Sequence, residues 1–299
     1  MKLNPRNLLA LLGPLASASV FAADVQPRLY TNVPVGMQFI SVVHARSSGE
    51  VTFDSSVPLE DVSGEIDTTL LSYARSINVG GKSGMLAVTL PYTDIALEGL
   101  YLGLPAQGQR QGMGDPRVRL SVNLSGAPAL TAKEFGSYQQ TTIVGASFTV
   151  GVPLGRYDDD RVLNPGTNRW NIQGQLGFST RMGKWELEGS MIASWNTSND
   201  EVLGDNELEQ DPIGSLLGGV LYHFRPGTWL GVGFAYTFGG DTRLNGKKRD
   251  DHQDNWRTGA AFSFPLGRRH NMQLRWTDGI ASRIGADFET FMVSYTYSI

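Results

Sequence analysis

From Asp115 to Leu124 the chain reads DPRVRLSVNL, and from Arg117 onward polar and apolar residues alternate without a break. Arg117, Arg119, Ser121 and Asn123 occupy one parity; Val118, Leu120, Val122 and Leu124 occupy the other. In a β-strand the two parities point to opposite faces, so one face here is aliphatic and the other polar. The pattern returns along the chain. Trp170, Ile172, Leu176 and Phe178 oppose Asn171, Gln173, Gln175 and Ser179, and Trp185, Leu187, Met191 and Trp195 oppose Glu186, Glu188, Ser190 and Ser194. Leu230, Val232, Phe234, Tyr236 and Phe238 oppose Gly231, Gly233, Ala235 and Thr237. Met272, Leu274, Trp276 and Ile280 oppose Gln273, Arg275, Thr277 and Gly279, and the terminal FMVSYTYSI repeats the scheme.

Two all-β solutions bury such faces. A water-soluble sandwich turns charged residues outward. Here the second face is mostly Gly, Ser, Thr, Gln and Asn with occasional Arg or Glu, as in a polar barrel interior whose apolar face meets lipid. The pattern therefore predicts an all-β fold, a transmembrane antiparallel β-barrel of the bacterial outer membrane with about 12 strands. The strands are expected near 36–46, 66–77, 84–95, 115–124, 140–153, 169–180, 184–196, 213–224, 228–239, 255–266, 271–281 and 287–299. Short turns (MGK, RPGT, GRRH) alternate with long loops at 47–65, 96–114, 154–168, 197–212 and 240–254, the asymmetry of outer-membrane barrels. Two connections fit poorly: 126–140 is long for a tight turn, and 282–286 is short for an outer loop. Pro91 interrupts a strand.

The N-terminus changes the compartment. Lys2 and Arg6 precede the apolar run LLALLGPLASASV, and Val20 and Ala22 are small, so 1–22 reads as a signal peptide and 23–299 as the barrel domain. The run is too short for a membrane anchor. Without Lys2 and Arg6, 23 basic residues face 29 acidic ones, a formal charge of −6, which gives no footprint for nucleic acid. There is no cysteine, so no disulfide holds an exported protein of this size.

Parity assigns the interior. Arg117 and Arg119 must face the lumen, because an arginine in lipid at mid-depth costs roughly 2–4 kcal/mol. Arg169, Gln173, Gln175, Glu186, Glu188, His223, Arg257 and Arg275 follow them, and His44 and Arg46 are expected there too. The two glutamates are expected to pair with arginines of neighbouring strands. Trp170, Trp185, Trp195 and Trp256, with Tyr295 and Tyr297, fall at strand ends as membrane-interface aromatics. Trp229 has the wrong parity for lipid.

Other chemistry is sparse. TSNDEVLGDNELEQDP and RYDDDR are acidic, but neither has the ligand spacing and turn glycine of a calcium loop, so both read as solvated loops and no metal is assigned. A barrel hydrolase would need a nucleophile and histidine at the membrane boundary. His44 and His223 have inward parity, His252 sits in a loop among Asp250, Asp251 and Asp254, and no G-x-S-x-G elbow occurs, so the reading is a non-enzyme without cofactor. GMG (112–114) precedes a strand rather than a helix and cradles no phosphate.

At GMGDPRVRLSVNLSGAPAL, VGVPLGRYDDDRVLNPGTNRW and GADFETFMVSYTYSI the chain resembles the MetA-pathway phenol-degradation family of bacterial outer-membrane "transporters". SYARS, RPGTWL and PLGRRHNMQLRW extend the likeness over 29–299. The resemblance implies an outer-membrane barrel taking up phenol-like aromatic compounds. Its expected partners are outer-membrane lipid, a small hydrophobic or aromatic solute, and the assembly machinery that reads the last strand. There Ile299 replaces the usual closing aromatic while Tyr295 and Tyr297 remain. The expected function is a passive channel with no plug before the first strand. The alternative is a non-transporting structural or surface-interaction barrel, in which the lumen charges pair and seal the pore.

Overall fold

The computed structural model describes residues 27–52 and 59–299; the expected signal peptide lies outside the described residues. In chain order the strands are β1 (Gln38–Thr52), β2 (Leu59–Val79), β3 (Lys82–Tyr101), β4 (Leu104–Met113), β5 (Arg117–Ser125), β6 (Thr142–Gly151), β7 (Asn171–Met182) and β8 (Trp185–Asn196). There follow β9 (Asn199–Val202), β10 (Asn206–Gln210), β11 (Ile213–Arg225), β12 (Thr228–Gly239), β13 (Thr242–Leu244), β14 (Lys247–Lys248), β15 (Gln253–Pro265), β16 (His270–Ala281) and β17 (Gly285–Ser298). A one-turn helix, α1 (Ala132–Phe135), lies between β5 and β6.

Every pairing is antiparallel, β4 and the short strands β9, β10, β13 and β14 are left out of the barrel's circuit, and β1 closes on β17 from Phe39↔Ser298 to Thr52↔Gly285. The result is a closed barrel of 12 strands, which leaves no sheet edge in the hydrocarbon. The alternating pattern lies as its chemistry demands. Leu120, Phe148, Leu176, Met191, Leu216, Val232 and Phe291 point outward and are each at least two-fifths exposed, whereas Ser147, Gln175, Ser194 and Ser215 on the opposite parity are buried. The outer apolar face is the lipid face, and the protein is a bacterial outer-membrane barrel.

Several expected loops are strands. β2 and β3 run far beyond 66–77 and 84–95, and the expected loop 96–114 becomes the β3–β4 hairpin. The expected loops at 197–212 and 240–254 contain β9, β10, β13 and β14, a second four-stranded sheet. These strands are only two to five residues long, too short to display alternation, and Val202 and Leu208 are their buried apolar residues. Pro91 finds a place inside β3 because β4 and β5 share that edge. Tyr92 pairs with Met113 and Thr89 with Arg117, so the missing N–H falls at the break between the two partners.

Turns lie at the other end. Gly80 and Gly81 have φ of +59° and +83°, the two positive values of a type I′ hairpin turn. The connection 126–141 at this end is long because it is not a turn: with α1 it packs against the chain preceding β1.

Candidate functional site

The chain before β1 does not stay outside. After Val35, whose N–H donates to Leu130 O, residues 27–34 run back into the lumen from the short-turn end. Tyr30 is 3% exposed and packs with Ala127 and Ile143. Its hydroxyl oxygen lies 3.1 Å from Ser147 Oγ, and it donates to Gln175 O at 3.4 Å. The barrel wall is bare where the ring sits: a Cβ on Gly145 would lie 2.1 Å from Tyr30 Cδ1, and one on Gly177 would lie 2.7 Å from Cε2. The expectation of no plug is therefore corrected. The signal was present as polar Arg28, Thr31 and Asn32 around Leu29 and Tyr30, but nothing local distinguishes such a segment from a linker.

Glu186 and Glu188 anchor this segment. The Arg28 N–H donates to both Glu188 oxygens, at 2.9 and 2.8 Å, and Arg28 Nε lies 3.7 Å from Glu186. Glu186, with no exposed surface, also accepts from Ser179 Oγ at 2.5 Å and Gln140 Nε2 at 2.9 Å, and meets His223 Nε2 at 2.6 Å. The expected pairing of these glutamates with arginines of neighbouring strands is thus replaced by pairing with Arg28 and His223.

Above this floor Arg119 donates to Ser147 Oγ at 2.8 Å and to Gln175 Oε1 at 2.9 Å, so it shares both partners' residues with Tyr30. Gln173 donates to Ser194 Oγ at 3.2 Å. Arg257 reaches Phe288 O at 3.1 Å, and Arg169, 6% exposed, reaches Gln210 Oε1 at 3.5 Å. Arg117 and Arg275 lie on the same inner parity of β5 and β16. His44 and Arg46 do not join them. Val43, Ala45 and Ser47 are the buried parity of β1, which puts His44 and Arg46 on the outer face beyond Ile40 and Val42, beside Asp67 at 3.7 Å and Glu65 at 2.8 Å. The misassignment arose because β1 continues past the lipid band into water, where charged residues return to the outer face.

The inner wall is not uniformly polar. Val43, Ala45 and Met292 with Leu70, and Ile66, Ile95 and Phe288 with Leu97, form two apolar patches on β1, β2, β3 and β17, and Leu163 of the 155–167 loop packs onto the second. A further, partly open cleft lies between Leu29, Tyr30 and the glycine-rich wall of β11, β12 and β15. Trp229 is 4% exposed on this inner wall with Leu221 and Ala261. Trp170, Trp185, Trp195, Trp256 and Tyr295 are exposed on the outer face, and Tyr297 is half-buried on the same parity.

The loops over the far mouth are tied down. Asp115 accepts from Gly155 N at 2.9 Å, and from Thr167 N at 2.8 Å and Oγ1 at 2.7 Å, so it clamps both ends of the 155–167 loop. Arg110 binds Asp158 at 2.5 Å and holds its carboxyl below the usual range. The carboxylates of Asp158, Asp159 and Asp160 lie within 4.8 Å of one another. Asp241 accepts from His252 at 2.7 Å and pairs with Lys248 at 3.0 Å, which together hold its carboxyl at about 2.

A closed antiparallel barrel with a lipid-facing apolar band and a filled, charged interior is an outer-membrane barrel. The chain belongs to the family described as "Putative MetA-pathway of phenol degradation", which it matches over residues 46–295. Its fold is similar to that of the COG4313 outer membrane channel from Pseudomonas putida F1, at 21% identity over 92% of this chain and 100% of that one, with a TM-score of 0.77. The transport unit of the autotransporter AIDA-I from Escherichia coli is more distant: 9% identity, 99% and 97% coverage, TM-score 0.50. No curated protein matches the chain.

Proposed function

We propose that the protein is a passive outer-membrane channel for small aromatic or otherwise apolar compounds, phenol-like by the description of its family. The observation that carries this reading is the apolar strip inside the barrel, from Leu70 and Met292 to Ile95 and Phe288. A pore for ions gains nothing from such side chains in its lumen, whereas an apolar solute leaves water to meet them. The reading assigns no catalytic group. The glutamates, Arg28 and Tyr30 are positioned as the inner floor of the path, and residues 27–34 must move aside for a solute to reach the periplasm.

A second reading, a barrel that transports nothing, draws on that floor: a segment held by Glu186 and Glu188 closes the lumen as a structural plug would. Uptake by proteoliposomes separates the two. Phenol, a small sugar and an ion are compared with empty liposomes as the baseline, because phenol crosses bare lipid. Protein-dependent entry of phenol but not the sugar is expected. Uptake no faster than in empty liposomes, for the native protein and for Tyr30→Ala alike, rules the channel out.

A further inference from the structure

Among the described residues, Arg119, Arg169 and Arg257 have no carboxylate bonded to them, and Glu186 and Glu188 of the wall already face Arg28. Asp115 lies within electrostatic reach of Arg117 and Arg169, but its oxygens hold the 155–167 loop. Among the described residues, the hydrogen-bond acceptors of Arg119, Arg169 and Arg257 are all neutral oxygens. The Nε of Arg119 is buried without a partner. A cation withdrawn from water without an anion is costly, and folded chains avoid the arrangement unless something else brings the negative charge.

Strand order runs β16, β17, β1, β2, β3, β5, so the apolar strip on β17, β1, β2 and β3 is bounded by Arg275 on one side and by Arg117 and Arg119 on the other. Arg257, one strand further, reaches across to Phe288 O on β17. Arg275 pairs in register with Met292, the centre of one apolar patch. An apolar surface framed by cations fits a solute with a flat apolar body and one negative charge.

We propose that Arg119, Arg169 and Arg257 make the lumen above Tyr30 an anion-binding vestibule, and that its ligand is an aromatic monocarboxylate rather than a neutral phenol. This rests on the channel reading for its biological sense, but the site itself stands on the wall residues. The vestibule field concentrates anions at the mouth and repels cations. A carboxylate then takes the place of neutral oxygens around the guanidinium groups with stronger, charge-assisted hydrogen bonds.

The test is equilibrium binding to the detergent-folded, full-length mature protein, with no transport required. Benzoate, phenol, benzylammonium and hexanoate are titrated; the first three share a ring and differ in charge, and the last keeps the carboxylate without the ring. Benzoate is expected to bind most tightly, benzylammonium not at all, and added salt should weaken benzoate. Arg119→Gln and Arg257→Gln should each weaken it about tenfold, the loss of one charged hydrogen bond. Arg46→Gln on the outer face should leave it unchanged. Each variant is accepted only if it keeps the heat-modifiable gel mobility of a folded barrel. Binding of benzylammonium as tight as benzoate, no binding of any probe, or benzoate binding untouched by both lumen substitutions overturns the proposal. Hexanoate equal to benzoate overturns the aromatic part of it. If liposomes still take up phenol in any of these cases, the channel reading survives and only the anion site is lost.

Discussion

Tyr30 and Ser147 are 117 residues apart in the chain, yet their hydroxyl oxygens stand 3.1 Å apart inside the barrel. Ser147 is also bound by Arg119, so a single wall serine joins the segment that closes the lumen to the arginine above it. Floor and vestibule are therefore one hydrogen-bonded unit, and disturbing either should be felt in the other.

The floor can be displaced without touching its own residues. Gly145→Ala places a Cβ about where the Tyr30 ring lies, 2.1 Å from Cδ1, so ring and methyl cannot coexist. The segment should leave its seat, and ion conductance in planar bilayers should rise, as it should for Tyr30→Ala. Conductance equal to the native value in both variants would show that residues 27–34 do not limit passage.

Glu186 holds the inner end of the barrel together. Four groups from separate parts of the chain converge on it: Arg28, Gln140, Ser179 and His223. Glu186→Ala leaves the buried Ser179 and His223 without their partner and should cost about 3–5 kcal/mol, the range for breaking a buried ion pair. Urea unfolding followed by gel mobility measures it, and an unshifted midpoint refutes the role.

The outer loops carry a defined response to acid. The carboxyl of Asp241 is held at about 2, below the ordinary 3.8, so the folded loop favours the charged form more than the unfolded chain does. That stabilisation is complete above the ordinary value and disappears as pH falls through about 2. Amide exchange of Thr242 and Arg249, whose N–H groups are bonded within this loop, should accelerate over that window. In Asp241→Asn the exchange should already be fast at neutral pH; a flat profile in the native protein would contradict the assignment.

The lipid face should be far less forgiving than the lumen. Leu120 is exposed outward near the middle of β5, and Ser121 follows it on the inner parity. Leu120→Arg should destabilise the barrel by roughly 2–4 kcal/mol in bilayers, while Ser121→Arg should cost much less. Folding efficiency into liposomes distinguishes them, and equal yields would mean that the assigned faces are wrong.

How much of this was legible beforehand follows from the range of each interaction. Alternation is local: Val118, Leu120, Val122 and Leu124 must share a face whatever else the chain does, so the barrel, its lipid side and the inner parity of Arg117 and Arg119 could be read from order alone. The membrane enforces the rule strongly enough that neighbouring strands scarcely modify it. Where the chain leaves lipid the rule lapses, and His44 and Arg46 turn outward on a strand extended into water. The short strands β9, β10, β13 and β14 were hidden because two to five residues hold no period. Tertiary structure alone brought Arg28 to Glu186 and Tyr30 to Gly145, since closing the barrel creates a lumen that a preceding segment can fill. It also decided that Arg119 keeps neutral partners, while Glu186 and Glu188 are held by that same segment.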